Sequence, residues 1–138
     1  MAEIMKGGCL CGSIRYEALP DSTSAYYCHC RDCQIGSGSA FHVAVLAPQS
    51  SFRHLSGKAV EYSKSADSGN TITRVFCPSC GTPVWWTGEG FPGSIILTLS
   101  GLDKPDEISP SRELWTDSAV SWCRILDDVE SFRRRPQR

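Results

Sequence analysis

The fold is decided by the stretch Cys28-His29-Cys30-Arg31-Asp32-Cys33, in which three thiols fall within six residues. The apolar residues before it predict a strand that leads into this stretch. Because side chains alternate along a strand, Cys28 and Cys30 point to one face and His29 to the other. A turn through Arg31 and Asp32 then returns Cys33 to the same point. Three converging sulfurs form a metal clamp that is one ligand short of a closed tetrahedral zinc site.

Two further cysteine pairs have the spacing of metal ligands. The first is Cys9-Leu10-Cys11-Gly12, and the second is Cys77-Pro78-Ser79-Cys80-Gly81, which predicts a zinc knuckle between two strands. Of the eight cysteines only Cys123 lies outside these clusters, and we expect it to be a buried, inert thiol. Eight cysteines in a chain without an export signal favour metal ligation over a disulfide framework.

The seven clustered cysteines divide into one set of four ligands and one set of three. Joining the two pairs gives a closed structural zinc site and leaves the triple as a second site with an open position. The alternative joins the first pair with two members of the triple. It is less favoured, because the remaining three thiols would then be split between the second pair and one residue of the triple. In the favoured division the closed site holds Cys9, Cys11, Cys77 and Cys80, and the open site holds Cys28, Cys30 and Cys33.

The length and net charge of the chain limit the classes of protein to which it could belong. The 138 residues predict one domain over 1–138, with a core at about 7–132 and a basic tail at 133–138. The net charge of -1 gives no general attraction to nucleic acid or to a membrane surface, and no apolar stretch approaches the ~20 residues of a spanning helix. The first seven residues lack the apolar segment of a signal peptide, so we expect a cytoplasmic protein, monomeric or homodimeric.

Short strand-like segments recur along the chain without a long helical period, which predicts a mainly β fold with little helix, pinned by metal. Residues 34–39 and 63–70 are predicted as loops, the first either presenting polar groups to a ligand or forming a flexible turn. A short helix is predicted at 127–132. The predicted strands are 13–19, 40–46, 59–62, 71–76, 82–86 and 94–100, with a final extended stretch within 113–122.

Several side chains near the clusters have two interpretations. His29 is expected to be a hydrogen-bonded structural residue, because strand alternation points it away from the thiols. Arg31 either steers an anionic thiol or is a solvated surface charge. One of Trp85 and Trp86 is expected in the core and the other at a pocket wall, and Phe91 is a weaker pocket candidate. His42 and His54 are expected to be ordinary strand and loop residues.

A zinc ion with three thiolate ligands suits thiol chemistry. The negative charge of the thiolates makes the metal a weak Lewis acid, poorly suited to generating hydroxide. Such a site binds an incoming thiolate and keeps it ionised and nucleophilic. The open site therefore favours an enzyme over a purely structural zinc module.

The motifs together resemble the glutathione-dependent formaldehyde-activating enzyme family, which includes the centromere protein V domain. The similarity covers about residues 7–132. It includes the Leu114-Trp115-Thr116-Asp117-Ser118 segment and Trp122 near the end of the chain. The motifs that carry it are Cys9-X-Cys11-Gly12, Cys28-His29-Cys30-X-X-Cys33 with Ala40-Phe41 downstream, and Phe76-Cys77-X-X-Cys80-Gly81-Thr82-Pro83.

The resemblance implies an Mss4-like (β-tent) fold of antiparallel sheets with two zinc ions. It implies the same two ligand sets as the favoured division of the cysteines given above. The structural zinc is bound by the two pairs, and the catalytic zinc by Cys28, Cys30 and Cys33. The implied activity is formation of S-hydroxymethylglutathione from glutathione and formaldehyde, a carbon–sulfur lyase reaction in the reverse sense. The alternative from another class is a non-catalytic zinc-stabilised module that carries glutathione or binds a protein. A reductase of the methionine sulfoxide type is disfavoured, because only Cys123 is left to serve as a separate reactive cysteine.

Overall fold

The computed structural model describes residues 3–125 and 129–136, which form two sheets and one short α-helix. The smaller sheet has three strands in the order β1-β2-β5, and the larger has eight in the order β11-β10-β3-β4-β9-β8-β7-β6. The prediction of a mainly β fold is confirmed. The strands are β1 (Met5–Gly8), β2 (Arg15–Ala18), β3 (Tyr26–Cys28), β4 (His42–Pro48), β5 (Arg53–Ser56), β6 (Val60–Ser65), β7 (Thr71–Phe76), β8 (Pro83–Gly88), β9 (Ser94–Thr98), β10 (Arg112–Leu114) and β11 (Glu130–Ser131), and the helix is α1 (Arg31–Ser37).

The central strands of the larger sheet are buried on both faces, as the alternation of their side chains shows. Neighbouring tryptophans on β8 separate: Trp85 joins one apolar cluster with Tyr16, and Trp86 joins a second cluster with Ile72. On β9, Leu97 belongs to the first cluster and Ile96 to the second. Because the side-chain period of a strand is two, one apolar run supplies both clusters. The first cluster packs against the smaller sheet, and the second surrounds the three-cysteine stretch.

Two strand pairings depart from the predicted antiparallel sheets. Strand β10 pairs in parallel with β3, Leu114 lying opposite Cys28, and β11 pairs in parallel with β10. The predicted extended stretch therefore ends early, and Trp115 leaves β10 in a left-handed conformation with φ of 60°. Trp122 lies in a turn and is 75% exposed. The predicted terminal helix is wrong at Glu130–Ser131, which is strand β11, while Asp127 and Asp128 lie outside the described residues.

Three other predictions about connections also need correction. Residues 34–39 are largely helical, because α1 runs to Ser37. Strand β6 extends to Ser65, which shortens the predicted loop to residues 66–70. Strands β1 and β5 were missed, since Met5–Gly8 and Arg53–Ser56 carry no apolar alternation of their own. They form because β2 lies between them and provides both with a hydrogen-bonding partner. No helix in the part of the chain that the structure describes could span a membrane.

Candidate metal centres and the cavity beside them

The two isolated cysteine pairs meet at one point. The turn between β1 and β2 carries Cys9 and Cys11, and the turn between β7 and β8 carries Cys77 and Cys80; their sulfurs all lie within 4.8 Å of one another. The Sγ atoms of Cys9 and Cys11 are 3.6 Å apart, and those of Cys11 and Cys77 are 3.8 Å apart. Zinc–sulfur bonds of about 2.3 Å in a tetrahedron place sulfurs about 3.8 Å apart. The donor set therefore fits a closed zinc site.

Backbone amides donate hydrogen bonds to two of these sulfurs. Cys9 Sγ accepts the amide of Ile14 at 3.2 Å, and Cys77 Sγ accepts the amide of Ser79 at 3.4 Å. The turn of the second pair closes on Gly81, whose φ of 76° suits a residue without a Cβ atom. A hydrogen bond with the Thr82 hydroxyl lowers the pKa of the Cys80 thiol to about 5. Thiolates held in this way are the form that a metal binds.

The three remaining clustered cysteines form a second group whose sulfurs lie within 4.8 Å of one another. Cys28 ends β3, Cys30 is the N-cap of α1, and Cys33 lies in the first helical turn. The Cys30 sulfur accepts the Cys33 amide at 3.3 Å, the role that serine or aspartate usually has at an N-cap. The helix ends at Gly38 with φ of 67°, a left-handed cap that glycine adopts without a steric penalty. The helix missed by the sequence prediction thus brings Cys33 back to Cys28.

One thiol of this group is strongly favoured as a thiolate. Hydrogen bonds with the thiols of Cys28 and Cys33, together with the Cys33 amide, lower the pKa of Cys30. The hydrogen bond with Cys30 raises the pKa of Cys28, and hydrogen bonds with Cys28 and then with Cys30 raise the pKa of Cys33. Three sulfurs with this arrangement fit three corners of a tetrahedral zinc site. No fourth cysteine, histidine or acidic residue joins them among the described residues.

The three cysteines line a cavity of about 100 Å³. Its wall combines segments that are far apart in the sequence. They are the central strands, the residues around β10, the 66–70 loop and Arg135 near the end of the chain. Trp86 lines this cavity, and Trp85 belongs to the other apolar cluster. The sequence predicted one of the two tryptophans at a pocket wall and the other in the core. Besides the cysteines, the lining residues are Tyr26, Asp32, Ala66, Asp67, Ser68, Asn70, Ile72, Arg74, Trp86, Gly90, Phe91, Leu114, Trp115 and Arg135.

Two residues of the cavity wall, Trp86 and Arg74, are in contact, and the His42 ring stacks on Trp86. The His42 ring stacks on Trp86 with 4.2 Å between centroids, and the Arg74 guanidinium carbon lies 4.4 Å from the centroid of Trp86. Burial, and then the charge of Arg74, lower the pKa of His42 to about 4, so the ring is neutral near neutral pH. His42 begins strand β4, in agreement with its interpretation as a strand residue, but its stacking on Trp86 was not predicted. Burial next to a tryptophan is not visible in one sequence.

His29 is fully buried, and its Nε2 atom lies 2.9 Å from Glu113 Oε1. The other carboxylate oxygen, Oε2, accepts a hydrogen bond from the Ser131 hydroxyl at 2.8 Å. Gln34 donates to the backbone oxygens of His29 and Ser118. These bonds join β3, α1, β10 and β11, and they fix the backbone between Cys28 and Cys30. The expectation of a hydrogen-bonded structural histidine agrees with this geometry.

Replacing Glu113 with alanine is expected to lower the free energy of unfolding by about 1–3 kcal/mol, because the buried His29 ring loses its hydrogen-bond partner. Urea unfolding at neutral pH measures the change. The control is Glu130→Ala, which removes an exposed carboxylate from the neighbouring β11 strand. Equal stability of the two variants would show that the pair contributes nothing to the fold.

The remaining predicted residues lie outside the two cysteine groups. Arg31 is exposed and bonds to Gln34; the guanidinium groups at the cavity belong to Arg74 and Arg135. Cys123 is half-buried rather than buried. In the basic tail the exposed Arg133 pairs with Asp117 at 3.0 Å. Its backbone also bonds to the residues that follow β10. Arg138 lies outside the described residues.

A model of the glutathione-dependent formaldehyde-activating enzyme family matches residues 4–118, which include all seven clustered cysteines. The chain belongs to this family. A crystal structure of a Rhodobacter sphaeroides protein is similar to this member of the formaldehyde-activating family, with a TM-score of 0.61 and 22% sequence identity. The alignment covers 72% of this chain and 88% of that one, and at this identity it shows a shared fold. A search of curated proteins found no match.

Proposed function

We propose that the protein is a zinc-dependent carbon–sulfur lyase that forms and cleaves thiol–aldehyde adducts. Glutathione and formaldehyde, the pair named for its family, are the proposed substrates. The observation that carries this proposal is that Cys28, Cys30 and Cys33 form a three-sulfur group that lines a cavity. A purely structural zinc takes a fourth protein ligand, whereas a catalytic zinc keeps one position for a substrate.

The other four cysteines are proposed to hold a structural zinc. Cys9 and Cys77 are buried, and four thiolates leave no position for a substrate. This metal would join the β1–β2 turn to the β7–β8 turn, two segments separated by more than sixty residues. It would thereby keep β7 and β8, which supply Ile72, Arg74 and Trp86 to the cavity, in place.

In the proposed reaction the thiol sulfur forms a bond to the aldehyde carbon, the carbonyl π bond opens, and the thiol proton ends on the resulting hydroxyl oxygen. When bound, a zinc ion with three thiolate ligands supplies an open position that favours the ionised form of a thiol. Cys28, Cys30 and Cys33 would hold that ion. The Cys33 amide supports the Cys30 thiolate, and the aromatic side chain of Trp86 excludes water from this side of the cavity.

Arg74 is proposed to bind a carboxylate of the thiol substrate. Its guanidinium lines the cavity, and within the described residues it makes no hydrogen bond or ion pair. Lys64, the nearby cation on the neighbouring strand β6, is by contrast paired with Asp32 at 2.6 Å. A guanidinium recognises carboxylates through paired N–H donors, and its stacking on Trp86 fixes its plane.

Replacing Arg74 with glutamine is expected to raise KM for glutathione by about tenfold, because a charge-assisted hydrogen bond is worth about 1.5–3 kcal/mol. KM for 2-mercaptoethanol, which has no carboxylate, is expected to stay the same. Steady-state kinetics with both thiols measure the difference, with Arg31→Gln as the control at an exposed arginine outside the cavity. Equal losses for the two thiols would exclude carboxylate binding by Arg74.

The function is tested by the rate at which free formaldehyde exchanges with its glutathione adduct, measured by NMR exchange spectroscopy with zinc-loaded protein. Acceleration over the protein-free rate supports the proposed enzyme. The absence of acceleration, with glutathione bound, would identify a carrier. If the protein neither accelerates the exchange nor binds glutathione, the alternative of a protein-binding module remains.

A further inference from the structure

A second arginine of the cavity has no role in the carboxylate binding proposed for Arg74. Both Arg74 and Arg135 line the cavity, and neither makes a hydrogen bond or an ion pair with the residues that the structure describes. The tail residues Arg133 and Arg134, by contrast, pair with Asp117. A guanidinium that lines a cavity without an acidic partner suits an anionic group of a ligand. Two such arginines favour a ligand with two anionic groups.

Arg135 is held at the cavity by the C-terminal segment, which lies beyond the residues 4–118 that the family model matches. The backbone amides of residues 115–117 donate hydrogen bonds to the carbonyl groups of residues 132–134, and Phe132 packs against the second apolar cluster. A Cβ atom on Gly90 would lie 3.8 Å from Arg135 Nη1 and 2.9 Å from Asn70 Nδ2. The Arg135 guanidinium is therefore a neighbour of Asn70.

The two arginines lie at different levels of strand β7. Asn70, the neighbour of Arg135, directly precedes β7, and Arg74 follows Asn70 by four residues. A rise of about 3.3 Å per residue separates these two positions by about 13 Å. An extended tripeptide spans about 10–11 Å, and the γ linkage of glutathione lengthens it by two carbon atoms. One glutathione molecule is thus long enough to reach both arginines.

Helix α1 lies over this part of β7 and places a cysteine between the two arginines. A Cβ atom on Gly36, in the second half of the helix, would lie 3.5 Å from the Arg74 Nε atom. Asp32, in the first turn, pairs at 2.6 Å with Lys64, which lies opposite Ile72 on β7. Ile72 precedes Arg74 by two residues. The first turn of the helix, with its cysteine, therefore lies between the levels of the two arginines.

The polar groups beside the two arginines differ. Asp67 and Asn70 line the cavity on the loop next to Arg135. The Arg74 guanidinium carbon lies 4.4 Å from the centroid of Trp86, and no carboxylate pairs with it in the described part of the chain. A cation alone suits a simple carboxylate, whereas a cation and a carboxylate together suit an α-amino acid group, which carries both charges at neutral pH. Glutathione has one group of each kind, on either side of its thiol.

We propose that the cavity recognises glutathione by both of its charged ends. Arg74 binds the glycine carboxylate, and Arg135 binds the α-carboxylate of the γ-glutamyl residue, whose ammonium group faces Asp67. This inference rests on the proposed thiol–aldehyde function and names how the same site selects its thiol. The selected class is a γ-glutamyl tripeptide rather than a small thiol or a thiol with one charged end.

Binding to zinc-loaded protein, measured by isothermal titration calorimetry, tests the proposal without turnover. Glutathione is compared with three analogues that each lack one charge: one with glycinamide in place of glycine, one with a γ-aminobutyryl group in place of γ-glutamyl, and one with a glutaryl group there. The glycinamide analogue is expected to bind about tenfold more weakly than glutathione. The other two are expected to bind about threefold to fivefold more weakly, because Arg135 and Asp67 are exposed. Equal affinity for all four ligands would overturn the proposal.

Three variants assign each charge of the ligand to a side chain. Arg135→Gln is expected to bind glutathione as weakly as the wild-type protein binds the γ-aminobutyryl analogue, with no further loss for that analogue. Arg74→Gln is expected to behave in the same way with the glycinamide analogue, and Asp67→Asn with the glutaryl analogue. Arg133→Gln is the matched control, because it removes a charge from the same segment at a side chain that is 86% exposed and does not line the cavity. It is expected to bind all four ligands like the wild-type protein.

Two results with these variants would overturn the proposal. If the loss in Arg135→Gln adds to the loss from the γ-aminobutyryl analogue, Arg135 does not bind the α-carboxylate. If Arg133→Gln weakens glutathione binding as much as Arg135→Gln, the effect belongs to the general charge of the tail.

The formaldehyde exchange rate separates this inference from the proposed activity. If the charges of glutathione are recognised as described but exchange is not accelerated, the lyase proposal fails while the two-ended recognition stands. If exchange is accelerated and the analogues bind as tightly as glutathione, the activity stands and the two-ended recognition is excluded. If zinc-loaded protein neither binds glutathione nor accelerates exchange, both are wrong.

Discussion

Replacing Cys77 with serine is expected to prevent the protein from folding stably. The Cys77 side chain is fully buried, and its sulfur lies 3.8 Å from that of Cys11 on the distant β1–β2 turn. Structural zinc contributes about 10–16 kcal/mol in zinc-finger peptides, which is comparable to the whole net stability of a domain, about 5–15 kcal/mol. Thermal unfolding followed by circular dichroism, together with the zinc content of the protein, measures the effect.

The control for this substitution is Cys123→Ser, which changes a half-buried thiol outside both cysteine groups. It is expected to keep the zinc content and the cooperative transition of the wild-type protein. A Cys77→Ser protein that still unfolds cooperatively at the wild-type temperature would show that the four-cysteine group does not stabilise the fold through a metal.

Replacing Cys33 with serine is expected to have the opposite result: loss of catalysis with the fold retained. Serine fills nearly the same volume at this buried position but is a poor zinc ligand at neutral pH. The wild-type protein is expected to bind two zinc ions per chain and the variant one. Elemental analysis counts the metal, and near-ultraviolet circular dichroism reports the packing of Trp86 close to the site.

A Cys33→Ser protein that retains two tightly bound zinc ions would contradict the assigned ligand set. A variant that unfolds like Cys77→Ser would instead give the three-cysteine group a structural role. The two substitutions thus distinguish a metal that holds the fold from a metal that acts on a substrate, in one chain and with the same assays.

The sequence allowed the cysteine groups to be predicted because metal-ligand spacing is a local property. For two residues in a turn, such as Cys77 and Cys80, the spacing and the glycine that follows predict a metal-ligand pair. The alternation of Trp85 and Trp86 was likewise readable, since neighbours on a strand face opposite sides. These features depend on short stretches of chain, and the structure shows the geometry that each stretch implies.

The features that sequence analysis missed depend on contacts between distant segments. Helix α1 has only seven residues, and its cap is a cysteine rather than serine or aspartate, so its composition suggested a loop. Strand β10 becomes part of the large sheet through a parallel pairing with β3, and no local sequence pattern predicts this pairing. The cavity residues Arg74, Phe91 and Arg135 come from three separate segments. One sequence contains no signal that these side chains meet.

The central proposal is that a zinc site of Cys28, Cys30 and Cys33 catalyses the exchange between a free aldehyde and its thiol adduct. The most direct test is NMR exchange spectroscopy on formaldehyde and glutathione, with wild-type and Cys33→Ser proteins at equal concentration and known zinc content. Wild-type protein is expected to accelerate the exchange, and Cys33→Ser, folded and holding one zinc, is expected to give the protein-free rate. Equal acceleration by both proteins, or none by wild-type protein carrying two zinc ions, would contradict it.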